Sequence, residues 1–125
     1  MSTGLQEGEI KAALRSGGSI RGAFFVARRE SYGFEFQVYL RPSWGRPYMP
    51  LRTFGGKADR TYRDVGRLLQ LVCEDFRFIG SITIYKAKSP ELARFRGLQP
   101  CDMPDHLKGA AAEQEPDSDQ ASEPD

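Results

Sequence analysis

Histidine occurs once in these 125 residues, at position 106, and cysteine twice, at 73 and 101. That scarcity removes whole classes of chemistry. No paired Cys/His spacing of a zinc site is present, the carboxylates of the first 98 residues are scattered, and two distant cysteines make no disulfide framework. A nucleophile with an oriented base has no candidates either: His106 falls in a polar tail, and Cys73 falls in an apolar helical pattern that predicts a core thiol. Glycine-rich "SGGSIRG" and "FGGKADR" match neither a Walker loop nor a dinucleotide fingerprint. No catalytic residue, metal or cofactor is expected. Long apolar runs are missing as well: nothing approaches the roughly 18 residues that span a bilayer, and "MSTGLQEGEI" has no signal-peptide core. The composition fits a soluble, cytoplasmic protein with reduced thiols.

Net charge is small, +1, yet it averages two opposed segments. Residues 1–98 carry 17 Lys and Arg against 9 Asp and Glu, a net of +8, whereas residues 99–125 carry Lys108 against eight acids, a net of −7. A basic body attracts polyanions, and an acidic tail can imitate one. The same boundary divides residues 1–98, expected to form a single domain, from residues 99–125, expected to be a disordered acidic tail rich in Pro, Ser, Gln and Ala.

Within the body, "LQEGEIKAALRSGG" has helical apolar spacing ended by two glycines, and "SIRGAFFVARR" is rich in strand formers. "GFEFQVYLR" alternates, with Phe34, Phe36, Val38 and Leu40 on one face and Glu35, Gln37, Tyr39 and Arg41 on the other. "YMPLRTF" reads as a third strand that Pro50 confines to a sheet edge. Tyr62, Val65, Leu69, Val72 and Phe76 form the stripe of the longest helix, with Thr61 and Asp64 shaped like a capping box. "GSITIYKA" is a fourth strand, and "SPELARFRGL" opens as helices do, with Ser89 as N-cap and Pro90 next. The expected fold is α+β, in the order α-β-β-β-α-β-α. Its helices cover one face of a small, mostly antiparallel sheet of about four strands.

Two surfaces are candidates for binding. Arg60, Arg63 and Arg67 share one helical stripe, and Arg41, Arg46, Arg52 and Lys57 would join it if strand, loop and helix pack in order; a plain solvated face is the alternative. The second is the sheet face of Arg21, Phe25, Gln37, Tyr39, Arg41, Thr83 and Tyr85, either a surface that stacks bases and grips phosphates or one covered by protein. "FGGKADRT" sets glycines and a lysine before a helix start, where an anion could sit or an ordinary turn suffices. In "RPSWGRPYMP" three prolines stiffen a loop that carries Trp44 and Tyr48 between arginines, as a binding hot spot does and as a core plug also does.

The run "GFEFQVYLRPSWGRPYMPLRTFGGKADRTYRDVGRLLQLV", with flanks "ALRSGGSIRGAFFV" and "FIGSITIYKAKSPELARFRGL", resembles the partition-associated ParC family of broad-host-range plasmids, unrelated to the topoisomerase subunit of that name. The resemblance implies a small accessory protein encoded beside partition or maintenance genes, with no catalytic motif. Binding is the expected activity. The partner is DNA, held by Arg41, Arg46, Lys57, Arg60, Arg63 and Arg67, or a partition or conjugation protein docked on Trp44 and Tyr48. A pure protein-interaction module, such as an inhibitor of conjugative transfer or a dimerisation adaptor, is the other reading.

Overall fold

Alternation in the chain's centre produces a long antiparallel pair that organises everything else. In a computed structural model of the protein, which describes residues 4–45, 47–53 and 60–104, β2 (Ile20–Glu30) pairs with β3 (Gly33–Pro42) from Glu30↔Gly33 to Ile20↔Pro42. A bulge between Ile20 and Gly22 leaves Arg21 as the extra residue. Around this hairpin lie β1 (Leu5–Gln6), β4 (Met49–Arg52), β5 (Thr61–Tyr62) and β6 (Thr83–Lys86), in the order β1-β4-β3-β2-β6, with β5 also on β3. The α+β class expected from sequence is the one observed. The sheet is mixed, however, with six strands: β1 runs parallel to β4 and β6 parallel to β2. Pro50 does not mark an edge, because two-residue β1 covers β4 at Leu51 and Arg52.

Helix α1 (Glu7–Arg15) and helix α2 (Val65–Gln70), which continues as a π-helical turn over Leu71–Asp75, cover one face. Ile10, Leu68, Leu71, Val72 and Phe76 pack there against Phe25, Val38 and Leu40. The opposite face is not wet. Leu92, Phe95, Leu98 and Met103 lie on it, against Phe24, Val26 and Tyr39. Its cover is the C-terminal segment, whose 3-10 helix spans Pro90–Arg94 and begins, as expected, with Ser89 accepting from the Glu91 N–H. Register also corrects the membership of that face: Phe24 is opposite Tyr39 and Phe25 opposite Val38, so Phe25 belongs to the helix side.

Helix α2 starts later than the Thr61 reading. Asp64 is the N-cap, its carboxylate accepting from the Gly66 and Arg67 N–H groups at 2.9 and 3.3 Å, a cap contributing about 1 kcal/mol. Thr61 is left in β5, where its hydroxyl donates to Glu35. The Phe76 N–H reaches the Leu71 carbonyl, the longer loop of a π-helix, and the stripe rotates. Leu68 is therefore buried while Leu69 faces solvent, and Cys73, expected in the core, is exposed.

Two carboxylates make the fold sensitive to acid. Glu7 lies below its ordinary value of 4.5, held first by its hydrogen bond to Lys11 and further by Arg60, against the opposing effect of burial. Glu35 is lowered first by the Thr61 hydroxyl and then by the Tyr32 hydroxyl, again against burial. A folded-state value below the unfolded one stabilises above the unfolded pKa and is lost as pH falls through the folded one. Urea midpoints should hold from neutral pH to about 4.5 and then fall; in a Glu7→Gln, Glu35→Gln protein that fall should be shallower.

Candidate functional site

Eight residues past the end of the 3-10 helix, the chain reaches the point that fixes the second face. Asp102 is fully buried and accepts from Arg28 through both carboxylate oxygens, at 2.7 and 2.8 Å, and from the Tyr39 hydroxyl at 2.6 Å. The same hydroxyl accepts the Gln99 N–H at 2.9 Å, and the Asp102 carbonyl accepts the Lys88 N–H. Burial first, and the Asp102 charge second, push the Tyr39 phenol well above its ordinary value of 10, so it remains a neutral donor. Residues 99–104 are thereby part of the packed chain, although composition assigned them to the tail. The rest of that expected tail, residues 105–125, lies outside the described residues.

This clasp presses Phe95 onto the sheet. Its ring stacks on Phe24 at 4.2 Å and meets Tyr48 and Tyr85 edge-on at 5.3 and 5.8 Å; Phe24 in turn stacks on Tyr39 at 5.0 Å. Two glycines make room. A side chain at Gly22 would collide with the Tyr48 hydroxyl, and Gly97, at φ +79°, turns the chain beside the Tyr48 carbonyl in a conformation open to glycine. Arginines border the aromatic cluster. Arg41 lies 5.9 Å over the Tyr48 ring and Arg94 5.1 Å over Phe95, while bulge residue Arg21 is exposed opposite the Arg41–Pro42 step. None of the three forms an ion pair with a described carboxylate. Such cation–π contacts contribute about 0.5–1 kcal/mol each and leave the charge unneutralised. The result is an electropositive rim around planar side chains.

Trp44 falls between the two readings of its loop. Its indole is braced on the α1–β2 turn, where a Cβ at Gly18 would come within 2.9 Å of the ring, yet the residue is 41% exposed. The Ser43 N–H to the Ser19 carbonyl, and the Ser19 N–H to the Ser43 hydroxyl, stitch this loop to the turn beneath it.

The remaining predicted residues gather elsewhere. Arg60 pairs with Glu7 at 2.7 Å and, with Arg67, Tyr62, Gln70 and Asp75, lines an open groove of about 330 Å³ against α1. Arg63 stacks 3.7 Å from the Tyr32 ring at the β2–β3 turn. Tyr62 faces Phe36 across the β5–β3 pair, five residues from Arg41, or about 17 Å along the strand and on the other face. Because α2 begins at Val65, Arg60 and Arg63 precede it and only Arg67 is helical, so the expected helical stripe of the three does not form; all three lie apart from the surface of Arg41. Arg46 and Lys57, with the "FGGKAD" stretch, lie outside the described residues. Sequence reasoning missed Arg94, Phe95, Arg28 and Asp102. Its one usable signal for the last was an isolated acid two residues before Pro104, hidden by an acidic context.

Among the described residues no cluster of three or more Cys, His, Asp and Glu side chains could hold a metal, and no helix is long and apolar enough to cross a membrane. Comparison of the chain with protein-family models, curated sequences and solved structures yields no match.

Proposed function

We propose that the protein is a non-enzymatic accessory module of plasmid partition or maintenance that binds DNA on the face bordered by Arg21, Arg41 and Arg94. The observation carrying this reading is the rim itself: Arg41 and Arg94 lie over Tyr48 and Phe95, with exposed Arg21 at the neighbouring bulge, and none of the three pairs with a carboxylate among the described residues. Arginine supplies planar, permanently charged donors for phosphate, and the rings offer stacking surface to exposed bases. Arg60, neutralised by Glu7, contributes less than its position in the sequence suggested. The plasmid setting rests on the resemblance to the ParC family described above.

If each of the three arginines neutralises one phosphate, affinity should fall about fortyfold for a fourfold rise in salt. Mobility shifts at low and moderate salt measure this, and the Arg41→Gln, Arg94→Gln protein should show both weaker binding and a shallower salt slope. Absence of any shift at micromolar protein and low salt removes the nucleic-acid reading. Trp44 favours a second reading, docking of a partition or conjugation protein, because a rigid, half-exposed indole loses little entropy on contact. There Trp44→Ala abolishes capture of the partner while the arginine changes matter little.

A further inference from the structure

Three aromatic rings among the described residues are more than a third exposed, and two of them, Tyr32 and Phe34, sit at the closed turn of the β2–β3 hairpin beneath Arg63 and Arg29. Trp44 is the third, at the open end. No described guanidinium and no described ring lies over its indole. Its six-membered ring rests on Gly18, where a Cβ would come within 2.9 Å of two ring carbons, and the Ser19 and Ser43 hydrogen bonds hold the loop that carries it. Such a ring has little freedom left to lose on binding.

Connectivity sets charge beside the indole. Arg41 is three residues away, about 11 Å at most along even a fully extended chain, and Arg21 bulges out opposite the Arg41–Pro42 step. Neither pairs with a carboxylate among the described residues. An open ring with two free cations within that radius matches one kind of nucleic acid better than the other. In a duplex the faces of the bases are stacked on one another and only edges and phosphates are presented, so a single indole gains nothing; in a single strand every base has a face to offer.

We propose that this face takes single-stranded rather than duplex DNA, with a base stacked on Trp44 and the flanking phosphates held by Arg21 and Arg41. The inference rests on the DNA-binding reading of the face and narrows its ligand. Stacking of this kind tolerates any base, so little sequence preference accompanies it.

Emission from Trp44 reports the contact directly, because the chain has no other tryptophan. A 12-nucleotide oligothymidine should quench that emission and bind about tenfold more tightly than a 12-base-pair duplex. With three phosphates neutralised, its affinity should fall about twentyfold for a fourfold rise in salt, against about fortyfold for a duplex. Trp44→Ala should weaken oligothymidine binding about tenfold at every salt concentration without changing the salt slope, whereas Arg41→Gln should make the slope shallower. Quenching and the preference for the single strand are read on the native chain, so they decide the matter even if Trp44→Ala does not fold. Oligothymidine bound with unchanged Trp44 emission, or a duplex bound as tightly as the single strand, overturns the proposal and leaves the DNA reading standing. Binding of neither at micromolar protein and low salt removes both.

Discussion

Replacing Asp102 by alanine should destabilise the protein by about 3–5 kcal/mol, the usual consequence of leaving one member of a buried ion pair without its partner. Arg28 would keep its 3.4 Å contact to the Gln37 side chain but lose both carboxylate oxygens, and the Tyr39 hydroxyl would lose its acceptor. For a domain of this size the melting temperature should drop by at least about 12 °C, measured by circular dichroism. The loss should not be uniform. Amides of residues 88–104 should exchange fastest, because the clasp holds that segment against the sheet while the α-helical face keeps its own core. A protein in which Arg28→Met accompanies Asp102→Leu should recover much of the stability, because two packed apolar side chains avoid the desolvation of both charges. No recovery would mean that the hydrogen bond from the Tyr39 hydroxyl to Asp102, rather than the charge pair, holds the segment.

Phe24→Ala should cost about 3–5 kcal/mol and, unlike most core truncations, should also disturb the binding face. Phe24 touches Tyr39, Tyr48, Tyr85 and Phe95, all within 5.5 Å between ring centroids, and is itself buried. With it gone, Phe95 and Tyr48, the rings beneath Arg94 and Arg41, lose the surface that sets their orientation. Phe25→Ala, one residue on, is the control: an equally buried ring on the helix side, whose removal should cost a similar amount in denaturant titrations yet leave the Tyr48 and Phe95 ring signals unchanged. Equal disturbance of those signals by both changes would indicate that the two faces of the sheet do not respond independently.

Much of the scaffold could be read locally. The alternation of residues 33–41 fixes which β3 side chains share a face, Gly17 and Gly18 follow α1, and Ser89-Pro90 opens a helical turn where its capping chemistry says it should. These are properties of neighbouring residues, and backbone geometry enforces them wherever the segment ends up. Errors began with pairing. Phe24 and Phe25 are equally hydrophobic, and only registration against Tyr39 and Val38 decides which faces the helices. The 3-4 stripe of the second helix was displaced for a similar reason, since neither the start at Asp64 nor the widened π-helical turn leaves a signature in apolar spacing. Composition also misled at residues 99–104: one carboxylate among many was classified with the solvated acids, though its geometry makes it the most buried acid described.

Sequence alone determined the class of the protein: an α+β body with surplus positive charge, an acidic extension, and too few histidines and cysteines for the chemistry those residues support. Those properties are sums over residue types or repeats along the chain, so they survive any arrangement in space. The tertiary structure decided which arginines act together. It separated Arg41 from Arg60, Arg63 and Arg67, beside which the chain order placed it, and joined it through Tyr48 and Phe95 to Arg94, more than fifty positions away. Charge proximity depends on strand register and on what covers each side of a sheet, and both are settled by long-range burial that no local pattern encodes.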